Sequence, residues 1–206
     1  MKKILLLLTL AAGLNVATNA QDKPVSFGVK AGVAFPNLVY SAEGMSASAD
    51  AKTSFYVGAI ADINVSEIFS VQPGLTFMNK GTKSDALDAG ASINFSYLEL
   101  PVNLVANFNA GPGKFFLGAG PYAAYALSGN SKVDGEKYDA EFGSGEEQVK
   151  RMDFGVNFLT GYKLTNGLNL HVGYGLGLGN LSNISENGTD LKIKNKVFSV
   201  GLGFNF

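Results

Sequence analysis

Leu168-Asn169-Leu170-His171-Val172-Gly173-Tyr174-Gly175-Leu176-Gly177-Leu178 places a large apolar side chain at every second position, with only asparagine, histidine and glycine between. Side chains alternate between the two faces of a strand, so this stretch is a strand with one wholly apolar face and one narrow, mildly polar face. Helical spacing would scatter the same residues around a cylinder. Gly173, Gly175, Gly177 and Gly179 do not form a nucleotide-binding loop either, because that fingerprint needs a turn and a following helix and none is written here.

Seven further segments follow the same rule. Val25 to Phe35, Thr53 to Val65, Phe69 to Lys80 and Ser92 to Val105 come before it with Lys114 to Leu127 and Arg151 to Leu164. The run ending at Phe206 closes the chain, with Phe198, Val200, Leu202, Phe204 and Phe206 against Ser199, Gly201, Gly203 and Asn205. In Ser92 to Val105 the apolar residues change parity: Ile93, Phe95 and Tyr97 share one, Leu98, Leu100, Val102 and Leu104 the other. A one-residue bulge near Leu98 would reconcile them and would help to accommodate Pro101, which lacks a ladder donor.

The connections alternate in length. Ser66 to Ile68, Ala106 to Gly113 and Thr165 to Gly167 are short, whereas Pro36 to Lys52, Gly81 to Ala91, Ser128 to Lys150 and Gly179 to Ile193 are longer. Short turns at one end and long loops at the other are the plan of an outer-membrane barrel, and an even strand count brings both termini to the short-turn, periplasmic side.

The first residues belong to a different object. Lys2 and Lys3, the apolar run from Ile4 to Leu10 and the small residues Thr18-Asn19-Ala20 have the order of a secretory signal peptide. Residues 1–20 are expected to be removed, and residues 21–206 to form one barrel domain. The run is too short for a membrane-spanning helix, and nothing later in the 206 residues approaches the roughly 20 apolar residues such a helix needs. There is no cysteine, which removes disulfides, thiolate chemistry and lipid attachment at a cysteine. Formal net charge is −1, with no basic concentration of the kind nucleic acid requires. Glycine is abundant at 26 residues, well above the usual 7% or so.

A soluble barrel would turn its polar face to water. Here the non-apolar face is mostly glycine, alanine, serine and asparagine, a poor solvent surface and a good lining for a narrow lumen. The expected fold is therefore an all-β, eight-stranded antiparallel up-and-down transmembrane β-barrel, since only a closed sheet leaves no unpaired backbone in lipid.

Tyr97-Leu98-Glu99-Leu100-Pro101-Val102 resembles the Y-L-E-[I/L]-P motif of the PorT-like, porin-family outer-membrane β-barrel proteins typical of Bacteroidetes-type bacteria. Gly118-Ala119-Gly120-Pro121-Tyr122, Asp153-Phe154-Gly155 and Tyr174-Gly175-Leu176 are similar to its later strands, so the likeness covers the mature chain. Phe206, with Phe204 before it, resembles the signal read by the barrel-assembly machinery. The resemblance implies a bacterial outer-membrane address and a barrel. It implies no single activity, since some members support secretion and many have no assigned role.

By parity, the lumen receives Lys30, Asp62, Gln72, Glu99, Asn103, Asp153, Asn157, Lys163 and His171. Charges at mid-membrane depth need partners or water, and Glu99 is expected to pair with Lys30. His171, the only histidine, falls in the periplasmic half, away from Asp153 at the start of its strand. An acid–base dyad is therefore not expected, and a lone histidine does not make a metal site. The acidic segment Asp134, Glu136, Asp139, Glu141, Glu146 and Glu147 lacks the spacing of a calcium loop and is expected to be a solvated loop. Tyr97, Tyr125, Tyr162 and Tyr174 are expected on the lipid face as interfacial anchors.

These features point to a non-enzymatic outer-membrane barrel acting through its outer loops and rims. A narrow pore for ions or small solutes and a lipid- or peptide-modifying enzyme are the alternatives. No catalytic residue, metal or cofactor is expected, and no nucleic acid. The expected partners are outer-membrane lipid and lipopolysaccharide, the barrel-assembly machinery and an unidentified protein, with the chain monomeric.

Overall fold

The structure, a computed structural model, describes residues 25–42, 45–84, 91–133, 135–145, 148–183, 185–186, 189–190 and 192–206. The expected signal peptide and its cleavage after Ala20 lie outside these residues, as do Asp134, Glu146 and Glu147 of the acidic segment.

Eight long strands form the wall: β1 (Val25–Ala42), β2 (Ser54–Asn64), β3 (Phe69–Ser84), β4 (Ala91–Ala110), β5 (Gly113–Val133), β6 (Met152–Leu164), β7 (Leu168–Gly177) and β8 (Lys192–Asn205). Each pairs antiparallel with the next, and β8 pairs with β1 from Gly28↔Asn205 to Ser41↔Lys192, so the sheet closes. Closure satisfies every edge, as a wall in hydrocarbon must. Short segments extend the wall at the long-loop end: Met45–Ser48 on β1, Asp50–Ala51 on β3 and Glu136–Asp139 on β5.

The turns explain the other end. Ala110 pairs with Gly113, leaving a two-residue turn in which Gly111 has φ +58° and Pro112 follows. A left-handed first residue followed by one fixed near −65° suits a tight hairpin. The connection Ala106 to Gly113 is thus mostly strand, shorter than the sequence suggests. Between β2 and β3, the Ser66 hydroxyl accepts the amides of Ile68 and Phe69. Between β6 and β7, Gly167 at φ +91° lets its amide donate back to the Leu164 carbonyl.

The faces follow the alternation. Phe27, Val29, Phe55, Leu75, Leu100, Leu117, Phe158, Leu170 and Leu202 are exposed on the outer wall, while their sequence neighbours turn inward. An apolar surface of this extent is explained by lipid rather than water as its solvent.

The parity change has a different cause from the one expected. Along β4 the odd residues Phe95, Tyr97, Glu99, Pro101, Asn103 and Val105 all face inward, without interruption. The bulge is on the neighbouring strand: Ser96 pairs with Ser128 but Tyr97 with Ala126, leaving Leu127 as the extra residue of β5. Inward-facing positions on β5 accordingly shift from Ala124 and Ala126 to Gly129. Ile93, Phe95 and Tyr97 are therefore apolar lining of the mouth. Pro101 is accommodated by a local gap, since the β3–β4 ladder jumps from Pro73↔Val102 to Thr76↔Glu99.

Inside, glycines make room for large side chains from neighbouring strands. Tyr56 lies over Gly32 and Gly201, and Tyr122 lies over Gly155. A Cβ at Gly201 would overlap both the Tyr56 hydroxyl and the Ala31 carbonyl oxygen. Gly201→Ala should therefore lower stability by about 1–3 kcal/mol. Urea unfolding of the refolded barrel measures it, and an unchanged midpoint would mean Tyr56 does not occupy that space.

Candidate functional site

The lumen is bridged at two levels. At the first, Lys80 of β3 reaches across the barrel. Its Nζ lies 3.0 Å from Glu99 Oε2 on β4 and 3.1 Å from Asp153 Oδ2 on β6. Asn195 Nδ2 of β8 donates to the same Asp153 oxygen at 2.9 Å and Tyr122 Oη of β5 at 3.3 Å, while Asn157 Nδ2 donates to Glu99 Oε1 at 3.0 Å. The ammonium also lies 4.5 Å from the Tyr122 ring centroid and 5.1 Å from that of Tyr97, a distance at which a ring face attracts a cation. Lys80, Glu99 and Asp153 are 2%, 5% and 0% exposed. Charges so deprived of water are stable only with this density of partners.

The expected Glu99–Lys30 pair is not formed. Lys30 faces the lumen and is acted on by the Glu99 charge, but Glu99 takes Lys80. Lys80 stands on the strand next to Glu99, whereas Lys30 is three strands away. Lys80 has the inward parity of Gln72 and Thr76; its place at the end of the apolar pattern hid it.

At the second level, near the short-turn end, Lys163 Nζ of β6 meets Asp62 Oδ2 of β2 at 3.3 Å. Between the levels lies a neutral chain. Tyr56 Oη lies 2.6 Å from His171 Nε2, and His171 Nδ1 lies 2.9 Å from Asn169 Oδ1. Asn169 Nδ2 in turn donates to Asn205 Oδ1 at 3.1 Å. A neutral ring can accept from the Tyr56 hydroxyl at Nε2 and donate to Asn169 Oδ1 from Nδ1. His171 pairs with Gly161, eight residues along β6 from Asp153, or about 26 Å of strand. The two residues therefore cannot act as a dyad. Gln72 and Asn103 pair across β3 and β4 and line the same cavity, about 100 Å³ in volume. That is room for a few waters. No group of described residues could hold a metal ion.

The mouth at the long-loop end is covered. Phe95, Tyr97, Tyr122, Ala124 and Ala126 form a buried cluster on which Ala140, Phe142 and Val149 of the β5–β6 connection pack. The Phe142 ring stands edge-on to Phe95 at 6.0 Å, with the Arg151 guanidinium 4.7 Å from its centroid. The β7–β8 connection locks this cover: Lys150 donates to the Leu181 carbonyl, and Asn183 Nδ2 donates to the carbonyls of Gly143 and Gln148. The acidic segment is thus only partly a solvated loop, because Ala140, Phe142 and Val149 turn back over the lumen while Tyr138 stays exposed. Glu136 and Asp139 remain exposed, and Asp139 pairs with Lys137 at 3.7 Å.

Of the expected interfacial tyrosines, Tyr125 and Tyr174 are exposed on the outer wall, and Tyr162 donates to the Ala110 carbonyl at the short-turn end. Tyr97 is not among them: it is fully buried inside, because β4 keeps one parity throughout. At the seam, the Phe206 amide donates to the Phe27 carbonyl, and the Phe204 and Phe206 rings meet edge to face at 5.4 Å.

A closed ring of eight antiparallel strands with an apolar outer wall and a charge-bridged interior defines a small transmembrane barrel of the bacterial outer membrane. Residues 19–183 match the outer membrane protein beta-barrel domain family, and the chain belongs to it. Among solved structures it is similar to the outer membrane protein OprG from Pseudomonas aeruginosa, with 16% identity, 89% of this chain and 97% of that one covered, and a TM-score of 0.52. It is also similar to Neisserial surface protein A, with 16% identity, 89% and 100% covered, and a TM-score of 0.50. At that identity the likeness shows the fold alone. No curated relative matches the sequence.

Proposed function

We propose that this is a closed, non-enzymatic barrel acting as a structural or interaction component through the surface that its long connections build over the mouth. In this reading the signal peptide is removed on export, both termini face the periplasm and the long connections face outward. The single observation carrying it is the double closure: Lys80, Glu99 and Asp153 cross the lumen, and Phe142 and Val149 cover it above them. An interior of eight strands is just filled by side chains, which leaves the mouth and rims as the accessible surface. The resemblance of Tyr97 to Val102 to the PorT-like motif fits this reading. It suggests that Glu99 and Pro101 serve barrel architecture in such proteins, since both point inward here.

The proposed partners are outer-membrane lipid with lipopolysaccharide, an unidentified protein at the long loops, and the assembly machinery reading Phe204 and Phe206, which are exposed at the seam. The barrel itself is taken as monomeric. A narrow pore is the second reading, favoured by the polar lining of the lumen cavity. Single-channel recording of the folded protein in a planar bilayer separates the two. The closed barrel gives no discrete openings; reproducible openings from the native sequence would make it a pore.

A further inference from the structure

Lys192, Lys194 and Lys196 occupy every second position of β8. They share the parity of Phe198, Leu202 and Phe204, which are exposed on the outer wall. All three lysines therefore leave the barrel on its lipid-side surface, where the apolar belt ends toward the long loops. The register fixes their surroundings. Phe198 lies between Phe35 of β1 and Tyr174 of β7, its ring stacked on Phe35 at 6.1 Å. One step farther along, Lys196 lies between Asn37 and Leu176. Lys194 then pairs with Val39 and Lys192 with Ser41. At about 3.4 Å per residue, successive lysines are about 7 Å apart and the column is about 14 Å long. Their ladder partners are uncharged, and among the described residues none of the three forms an ion pair.

Three cations in line repel one another. Their long stems can lie on apolar surface while the heads reach a polar layer. Placed directly beyond an aromatic row on a lipid-facing wall, that layer is the headgroup region, and its own charges are phosphates.

We propose that this lysine column is a binding site for the phosphate groups of an anionic outer-leaflet glycolipid, whose acyl chains lie along Phe35, Phe198 and Tyr174. The site rests on the orientation taken under Proposed function. Lys52 differs: its backbone amide donates to Pro36 on β1, but its ammonium turns away to donate to Asn94 on β4 and is acted on by the Lys132 charge.

The test uses the folded mature protein in micelles, titrated with phosphorylated lipid A, with dephosphorylated lipid A and with inorganic phosphate, and read by native mass spectrometry. Phosphorylated lipid A is expected to bind, with the dephosphorylated form and inorganic phosphate at least tenfold weaker. The variant K192Q/K194Q/K196Q should weaken binding by about 100-fold, taking about fivefold per cation near an anionic surface. K52Q/K132Q should stay within about twofold of the native protein. Equal binding of dephosphorylated lipid, equal binding of inorganic phosphate, or an unchanged affinity of the triple variant would each overturn the site. Orientation is read separately. The chain has no cysteine, so Ser144→Cys in the exposed long loop gives a single label point. Labelling of intact cells by an impermeant maleimide supports the outer-leaflet placement. Labelling only after lysis would overturn that placement without touching lipid binding in micelles.

Discussion

Replacing Lys80 with methionine is expected to cost the barrel about 3–5 kcal/mol, the usual penalty for removing one partner of a buried ion pair. The volume is nearly kept, so packing alone predicts a small effect. What is lost is the one positive charge that Glu99 and Asp153 share, at 3.0 and 3.1 Å, in a lumen where neither carboxylate reaches bulk water. Asn195 and Tyr122 would go on donating to Asp153, but neutral donors do not replace an ammonium. The variant K80M/E99Q/D153N, with no charge left in the triad, should recover most of the loss, because polar isosteres carry no uncompensated charge. Urea unfolding of the refolded barrel measures both. A K80M variant within about 1 kcal/mol of the native protein would show that the triad is hydrated and does not cross-link the wall.

The double closure also explains how the interior and the outer loops act together. Tyr122 touches both closures, since its hydroxyl reaches Asp153 of the triad and its ring belongs to the cluster beneath Phe142. A disturbance of the triad is thereby felt under the loops. The half at the short-turn end is organised separately by Asp62, Lys163, Tyr56 and His171. The two halves meet in the lumen cavity, whose lining includes Lys30, Thr76 and Asn157.

Much of this was legible in the sequence, for a physical reason. Where a strand has lipid on one face and a narrow lumen on the other, the faces differ sharply in composition, and period two is plain, as in β7. Strand number, faces, short turns and the inward set Lys30, Asp62, Glu99, Asp153, Lys163 and His171 follow from that contrast. It fades at the long-loop end. There Asn37 to Ala42, Gly81 to Ser84 and Gly129 to Val133 continue as strand without a regular alternation of apolar and polar residues, so the strands read as loops and Lys80 as a boundary. The bulge at Leu127 was hidden because Tyr125-Ala126-Leu127-Ser128 carries no glycine or proline to mark it. Its effect appeared instead as a false phase change in β4. The cover over the mouth had one faint signal, Phe142 and Val149 standing alone in an acidic segment. Isolated apolar residues do not reveal their contacts without the fold.

Tyr97 decides between the two descriptions of β4, and Tyr97→Ala should cost about 3–5 kcal/mol, as truncating a buried aromatic does. On the lipid face, as an interfacial anchor, the same change would remove only surface contact and lower stability little. Inside, three things are lost together. The ring packs at 6.2 Å against Phe95 and lies under the Lys80 ammonium, and the buried cluster beneath Phe142 includes it. Tyr97→Phe keeps the ring and its packing, so it should lose far less than the alanine variant. Tyr125→Ala, at an exposed position on the outer wall one strand away, gives the lipid-face comparison. Urea midpoints of the three variants, measured in one detergent, order them as Tyr97→Ala well below Tyr125→Ala, with Tyr97→Phe nearest the native protein. If Tyr97→Ala and Tyr125→Ala proved equally mild, β4 would carry the bulge itself and its odd residues before Leu98, namely Ile93, Phe95 and Tyr97, would face lipid. The aromatic support beneath Phe142 would then be absent and the mouth could not be covered in this way.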